Sequence, residues 1–134
     1  MYKRIKIESK VINLRVVEKT IDEITKEIGI EKDNYGKILV STLEAVNNAI
    51  LHGNHSDPGK FVDIVIGFQN NELKIKIKDE GEGFIPEEVP DPTKPENIEA
   101  LSGRGVFLMS HLADKIKYSK KGNTVTMFFN ITIS

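Results

Sequence analysis

A short segment near the middle of the chain alternates strictly between apolar and charged residues. Residues 73–78 have the sequence LKIKIK, so the aliphatic side chains point to one side of an extended strand and the lysines to the other. Such a strand belongs to a sheet with one solvated face and one face covered by helices. The alternation therefore predicts an α+β fold, a two-layer sandwich whose mixed, mostly antiparallel sheet carries about three helices on one face.

The helices follow from apolar residues that recur with a period near 3.6. They are predicted over 13–28, from a cap at Asp33 or Asn34 to about His52, and from Val106 onward. Gly29 is a suitable stop for the first helix, and Gly53-Asn54 would close the second.

Four further strands are predicted from β-type composition. They lie at 2–8, 61–68, 115–119 and 124–133. Asn70-Asn71 would join the second and third strands as a tight hairpin. The lysine-bearing strand at 2–8 could lie at a sheet edge, where charge protects it from pairing with other chains.

Composition narrows the class of protein. A chain of 134 residues fits a single domain over 1–134, and the absence of cysteine excludes disulfides and thiolate metal sites. The net charge of −1, with acids and bases interspersed, argues against a nucleic-acid partner. We find no apolar run that could span a membrane and no leader-like amino terminus, so a cytoplasmic location is expected.

The second helix has an unusual polar face. Glu44, Asn48 and His52 are spaced four residues apart with Asn47 to one side, and the stretch 38–54 contains no lysine or arginine. A carboxylate could accept a proton, and an amide oxygen suits a hard cation such as Mg²⁺. The alternative is a polar face that pairs with a neighbouring loop, and the helix alone does not decide between the two.

An acidic, glycine-rich turn follows the lysine-bearing strand. Asp79 ends that strand, and Gly81 and Gly83 follow at alternate positions. Glycine there lets backbone approach a ligand closely, and the Asp79 carboxylate could accept hydrogen bonds from an exocyclic amine. Thr124 begins the last strand just after Gly122 and could hydrogen-bond a base, although such turns and strand threonines are also common without function.

A long proline-rich segment leads to a second glycine motif. Residues 84–101 contain four of the five prolines, as expected of a functional lid. Gly103-Arg104-Gly105 then opens the third helix, where free amides and the helix dipole favour phosphate. The alternative is a hinge capped by Ser102.

The order of these motifs resembles the GHKL ATPase superfamily with its Bergerat nucleotide-binding fold. The order is Glu-x-x-x-Asn on a helix, Asp-x-Gly-x-Gly after a strand, a lid, Gly-x-Gly before a helix, and Gly-x-Thr entering a strand. The sequence EAVNNAILHGN at 44–54 and the run TKPE at 93–96 look most like the small anti-sigma factor serine/threonine kinases of bacteria. The resemblance covers nearly the whole chain.

The resemblance implies roles at the phosphate end of an ATP site. Asn48 would coordinate the Mg²⁺ that bridges the ATP phosphates, and Glu44 would be the general base toward a substrate Ser or Thr. Gly103 and Gly105 would shape the lid against the phosphates, with help from Arg104. Phosphoryl transfer needs mainly positioning and charge neutralisation, so this set would be sufficient.

The resemblance also implies roles at the adenine end. Asp79 would bind the adenine amine, Gly81 and Gly83 would let the base approach, and Thr124 would support that side. Relatives often carry an aromatic residue after the glycine at position 53, where this chain has Asn54.

Partners too are implied by the resemblance alone. They are a sigma factor held inactive, a STAS-type antagonist that the kinase phosphorylates, and a second copy of the chain in a homodimer. Three alternatives stay open: a regulator that keeps the ATP fold but acts by contact, a detached histidine-kinase catalytic domain, and a structural domain. The carboxylate of Glu44 favours catalysis over contact alone.

Overall fold

The computed structural model of the protein describes residues 1–81, 112–119 and 123–131. Within these ranges the strands are β1 Tyr2–Glu8, β2 Phe61–Gln69, β3 Glu72–Lys78, β4 Lys115–Tyr118 and β5 Thr124–Asn130. The helices are α1 Leu14–Ile28, preceded by a 3₁₀ turn at Val11–Asn13, and α2 Lys32–Asn48, followed by a π-helical turn at Ala49–Gly53.

The strands form one sheet in the order β1-β2-β3-β5-β4. Every pairing among the described strands is antiparallel, which confirms the mostly antiparallel sheet expected from the alternation. The hairpin at Asn70 and Asn71 is also confirmed, since both residues have positive φ (54° and 61°) as a two-residue type I′ turn requires. Strand β1 lies at one edge, as predicted.

The two faces of the sheet differ as the alternation predicts. Along β3 the aliphatic residues are buried and the lysines are exposed, and the inward residues of β2 are likewise buried. The largest fully buried side chains lie on α1, α2, the π-helical turn and the inward face of β2, β3 and β5: Val17, Ile21, Ile38, Val46, Ile50, Val62, Ile64, Ile66, Leu73, Ile75, Ile77 and Met127. The core therefore lies between the sheet and the helix layer, which confirms the two-layer α+β class.

The helix ends agree with the prediction at α1 and differ at α2. Gly29 closes α1 in the left-handed conformation (φ 84°), with its N–H donating to the Thr25 carbonyl at 3.0 Å. The cap predicted at Asp33 or Asn34 is wrong, because α2 begins at Lys32 after an extended Glu31. Asp33 instead lies in the first turn, where its negative charge interacts favourably with the positive end of the helix dipole.

The helical segment that begins with α2 ends in a wider turn than the sequence predicts. An uninterrupted α-helix to His52 was expected, but the α-helix ends at Asn48 and the last turn is π-helical. The Asn54 N–H accordingly donates to the carbonyl of Ala49, five residues earlier, at 2.8 Å. The change of pitch begins directly after Asn48 and alters where Gly53 and Asn54 meet the sheet.

The helical period centres the apolar arc of α2 near Leu39 and Leu43, with Thr42 and Ala45 on its flank. The buried stripe is rotated toward that flank: Ser41, Thr42 and Ala45 are buried, whereas Leu39 and Leu43 are only half-buried. The buried arc thus lies closer to the Glu44 and Asn48 face than the apolar pattern alone suggested.

The predicted third helix and the proline-rich lid fall almost entirely outside the described residues, which resume at 112. Among the residues that are described, neither helix is long and apolar enough to cross a membrane.

Candidate functional site

Asp79 lies where β3 ends and is held by hydrogen bonds on both sides. Its side chain is buried, and carboxylate atom Oδ1 accepts a hydrogen bond from the Gly81 N–H at 2.8 Å. Its own N–H donates to the Asn123 carbonyl at 2.9 Å, across to the start of β5. These bonds fix the orientation of the carboxylate, which is a requirement for recognising a ligand group by geometry.

The π-helical turn after α2 lies directly against this carboxylate. A Cβ atom placed on Gly53 would be 2.3 Å from Asp79 Oδ2, and one placed on Gly81 would be 2.0 Å from the Gly53 carbonyl oxygen. No side chain fits at such distances. Glycine at both positions therefore lets the helix end, the turn after β3 and the carboxylate come together.

Asn54 joins three parts of the chain at this point. Its side chain is fully buried, and the amide Nδ2 donates to the hydroxyl of Ser9 at 2.8 Å and to the Phe61 carbonyl at 3.0 Å. Its Oδ1 accepts a hydrogen bond from the Glu80 N–H at 2.8 Å. The end of β1, the start of β2 and the turn after β3 are thus tied to the end of the helix segment.

Glu44 and Asn48 lie on α2 one helical turn apart, so their side chains are neighbours on the same face. Both are half-buried. In the part of the chain that the structure describes, neither side chain has a hydrogen-bond partner, so the alternative of pairing with a neighbouring loop finds no support there. Their oxygens are the hard ligands that Mg²⁺ prefers.

A resident metal site made of protein groups alone is not present among the described residues. No group of three or more His, Asp or Glu side chains lies close enough there to hold an ion. One amide oxygen beside a carboxylate fits a Mg²⁺ ion that receives most of its ligands from phosphates and water, which is the usual arrangement at nucleotide sites.

Thr124 is brought to the same end of the sheet as Asp79. It begins β5 and pairs with Lys78, the residue before Asp79. Its neighbour Asn123 donates from Nδ2 to the Asp79 carbonyl at 3.4 Å, in addition to the bond that its own carbonyl accepts. Three of the sequence-predicted residues, Asp79, Gly81 and Thr124, therefore meet at one place next to the end of the helix that carries the other two.

The remaining predicted site residues, Gly83, Gly103, Arg104 and Gly105, lie outside the described residues. Conversely, the structure adds three residues to the site: Gly53 and Asn54, which the sequence indicated only as the end of a helix, and Asn123, which no motif indicated. The signal for Asn54 was its type, since an amide following glycine at a helix end can bond several backbone groups at once.

Comparison with known proteins shows the family to which the chain is similar. A family model described as the histidine kinase-like ATPase domain matches residues 7–129. An anti-sigma F factor from Anoxybacillus flavithermus is 37% identical over 125 residues, covering 88% of this chain and 77% of that protein. The serine-protein kinase RsbW of Bacillus subtilis is 24% identical over 133 residues, covering 94% of this chain and 83% of that protein.

A solved structure has the same fold. The crystal structure of the RsbU and RsbW domains of a Mycobacterium tuberculosis protein superposes with a TM-score of 0.70 at 17% identity. The match covers 98% of this chain, which spans 32% of that longer chain.

Removal of the Asn54 side chain tests how strongly the site depends on it. We expect Asn54→Ala to lower the free energy of unfolding by about 1–3 kcal/mol, because it leaves buried donors and acceptors without partners. Urea denaturation measures the change. The matched control is Asn13→Ala, which removes a single solvent-facing bond to the Glu8 carbonyl and should change stability by about 0.5 kcal/mol or less. Equal effects of the two substitutions would contradict the central role of Asn54.

Proposed function

Because this chain belongs to the histidine kinase-like ATPase domain family, we propose that it binds ATP with Mg²⁺ and phosphorylates a protein on Ser or Thr. We further propose that it acts in the cytoplasm as an anti-sigma factor. The observation that carries the proposal is the contact of one helical segment with Asp79: the segment bears Glu44 and Asn48 and ends with Gly53 against that carboxylate.

The order of groups along this segment suits a nucleotide. At about 1.5 Å per residue along α2, Glu44 lies roughly 6 Å beyond Asn48, measured away from the π-helical turn that ends at Gly53. A base bound at Asp79 would thus have an amide oxygen and then a carboxylate farther along the same helix. The parts of an ATP molecule follow in the same order: the base at Asp79, the phosphates at Asn48, and the γ-phosphate that is transferred toward Glu44.

Asp79 is suited to select adenine. Its Oδ1 is engaged by the Gly81 N–H, which fixes the carboxylate plane. A carboxylate accepts hydrogen bonds and has no donor when ionised, so it matches the exocyclic amine of adenine and rejects the carbonyl that guanine carries at the equivalent position. Thr124 lies at the same end of the sheet, where its hydroxyl would bond the base, and Gly81 supplies the N–H that holds Asp79 Oδ1.

Asn48 would hold Mg²⁺ through its amide oxygen, together with phosphate oxygens. When bound, the ion neutralises charge that develops on the phosphates during transfer. Asn48 itself contributes a neutral oxygen that does not repel the phosphates as a carboxylate would.

Glu44 would act as the general base. The hydroxyl oxygen of the substrate Ser or Thr forms a bond to the γ-phosphorus while the bond from that phosphorus to the β–γ bridging oxygen breaks. The hydroxyl proton passes to the Glu44 carboxylate, and ADP leaves with the bridging oxygen. The half-buried Glu44 carboxylate, one helical turn from Asn48, supports this role, because a regulator that acted by contact alone would not need a carboxylate at that position.

The proposed protein partners come from the relatives' names. Several relatives are named anti-sigma F factor and one is named serine-protein kinase. We therefore propose a sigma factor as the sequestered partner and a STAS-type antagonist as the protein that is phosphorylated.

We also propose a homodimer, and an exposed apolar surface supports it. Three exposed apolar residues lie close together in the sequence, in the 3₁₀ turn and the first turn of α1: Val11 (52% exposed), Ile12 (59%) and Val16 (47%). This segment lies two residues after the edge strand β1. An exposed apolar cluster of this kind is typical of a contact surface between subunits.

Nucleotide binding is tested by calorimetric titration with ATP. We expect binding that requires Mg²⁺, and we expect Asp79→Asn to weaken it by tenfold or more, because the amide presents a donor to the adenine amine. Asn48→Ala should abolish the Mg²⁺-dependent binding of ATP or weaken it severely. The control is Asp33→Asn, an exposed residue at the other end of α2 that should leave affinity unchanged. Absence of binding at millimolar ATP would contradict the kinase and leave a regulator that acts by contact.

Phosphoryl transfer is tested with Glu44→Gln. This variant should bind ATP within about threefold of the wild-type affinity and lose transfer to a purified STAS-type antagonist by about 10²–10⁴-fold, the usual contribution of a general base. Transfer of label from γ-labelled ATP measures it. Glu27→Gln, exposed on α1, is the control. A wild-type rate in Glu44→Gln would show that another group takes the proton.

The dimer is tested by light scattering after size exclusion. We expect twice the 15.1 kDa mass of the chain, and we expect Ile12→Lys to yield the monomer by burying a charge in the contact. Val40→Lys places the same charge at another exposed apolar residue (45%) on α2 and should leave the dimer intact. A wild-type protein that is monomeric at about 50 µM would refute the assembly, because its dissociation constant would then lie well above that concentration.

A further inference from the structure

The solvated face of the sheet carries a dense group of cations. We call it the cationic face and define it by seven side chains on β1, β3 and β4: Arg4, Lys6, Lys74, Lys76, Lys78, Lys115 and Lys117. The central acid on this face is Asp63, and Glu8 and Glu72 lie at strand ends. The whole chain has a net charge of −1, so positive charge is concentrated here.

One of these cations is neutralised locally. The Arg4 guanidinium donates to the Asp63 carboxylate, with Nε to Oδ1 at 2.9 Å and Nη2 to Oδ2 at 2.5 Å. That hydrogen bond lowers the pKa of Asp63 below its ordinary value. The lysines of β3 and β4 have no ion pair within the described residues.

Three of the lysines converge on one aromatic ring. The ammonium groups of Lys74, Lys115 and Lys117 lie 5.9, 5.7 and 5.7 Å from the centroid of Phe128. Each is attracted to the ring, but the three like charges repel one another. An anion placed among them would relieve that repulsion and gain three favourable contacts.

A shallow cleft lies on the neighbouring strands of the same face. It has a volume of about 250 Å³ and is lined by Arg4, Asp63, Val65, Lys76 and Lys78. Strands β3 and β5 are adjacent, so the cleft and the Phe128 cluster are only about one strand spacing apart. A single extended acidic segment could therefore contact both.

We propose that the cationic face docks an acidic segment of a protein partner, whose carboxylates bind among the lysines around Phe128 and at the cleft. The choice of a protein as occupant rests on the proposed function. The proposal identifies the surface that would hold such a partner. Since the face is opposite to the helix layer, the partner and the nucleotide can be bound together.

The observations disfavour other occupants. A second copy of the chain would bring two positively charged faces together. A nucleic acid would meet a chain with a pI of about 6.3, far from the basic character of nucleic-acid-binding domains, and lysine ammonium groups lie over the Phe128 ring that a base would need for stacking.

The test compares two triple variants with equal charge change. The first replaces Lys74, Lys115 and Lys117 by Gln, and the second replaces the exposed helix residues Lys19, Lys26 and Lys37 by Gln. The probe is fluorescent poly-L-glutamate, titrated at low and high salt. We expect the wild type to bind in a salt-sensitive manner, the sheet variant to bind at least tenfold more weakly, and the helix variant to stay within twofold.

Two further measurements make the outcome decisive. A Lys→Arg triple variant at the three sheet positions keeps the charge and should retain binding; its loss would show that charge is not the cause and overturn the proposal. Equal weakening in the sheet and helix variants would overturn it too, as would preference for duplex DNA or anionic phosphatidylserine vesicles over poly-L-glutamate. ATP titration of the same variants should be unchanged, so failure of ATP binding in the wild type counts against the kinase and not against this surface.

Discussion

The contact between the end of the α2 segment and the end of β3 holds the site together. Gly53 lies so close to the Asp79 carboxylate that a Cβ atom would be 2.3 Å away, and the buried amide of Asn54 bonds the turn that follows. A helix packed on a sheet through apolar side chains can slide or rotate, because hydrophobic contact has no direction. Hydrogen bonds and backbone contact at one end remove that freedom.

The rest of the arrangement follows from this fixed point. Once the helix is held at Gly53, the positions of Asn48 and Glu44 relative to Asp79 are set by helical geometry. The π-helical turn lies between these two regions. Its i→i+5 bonding, with the Asn54 N–H donating to the Ala49 carbonyl, places Gly53 and Asn54 differently from a continued α-helix, and π turns are frequent at functional sites.

The alternation of apolar and charged residues gives the sheet one buried apolar face and one exposed charged face. The inward side chains form the apolar core under the helices, and the outward ones form the cationic face. Because successive residues of β3 point in opposite directions, one strand contributes both to the core next to the proposed nucleotide site and to the charged surface behind it. Asp79, at the end of that strand, belongs to the first surface, whereas Lys74 and Lys76 belong to the second.

The sequence by itself determined the two-layer α+β class, the strands, the hairpin at Asn70-Asn71 and the candidate residues on α2 and after β3. These features depend on residues that are near one another in the sequence, through hydrophobic period, turn residues and residue type. It did not determine the pitch of the last helical turn, the rotation of the buried stripe of α2, or the roles of Gly53, Asn54 and Asn123. Those depend on which distant backbone groups meet, as when Asn54 bonds Ser9, Phe61 and Glu80. Only the tertiary structure decides such contacts, because a side-chain amide binds any donor or acceptor that packing brings to it.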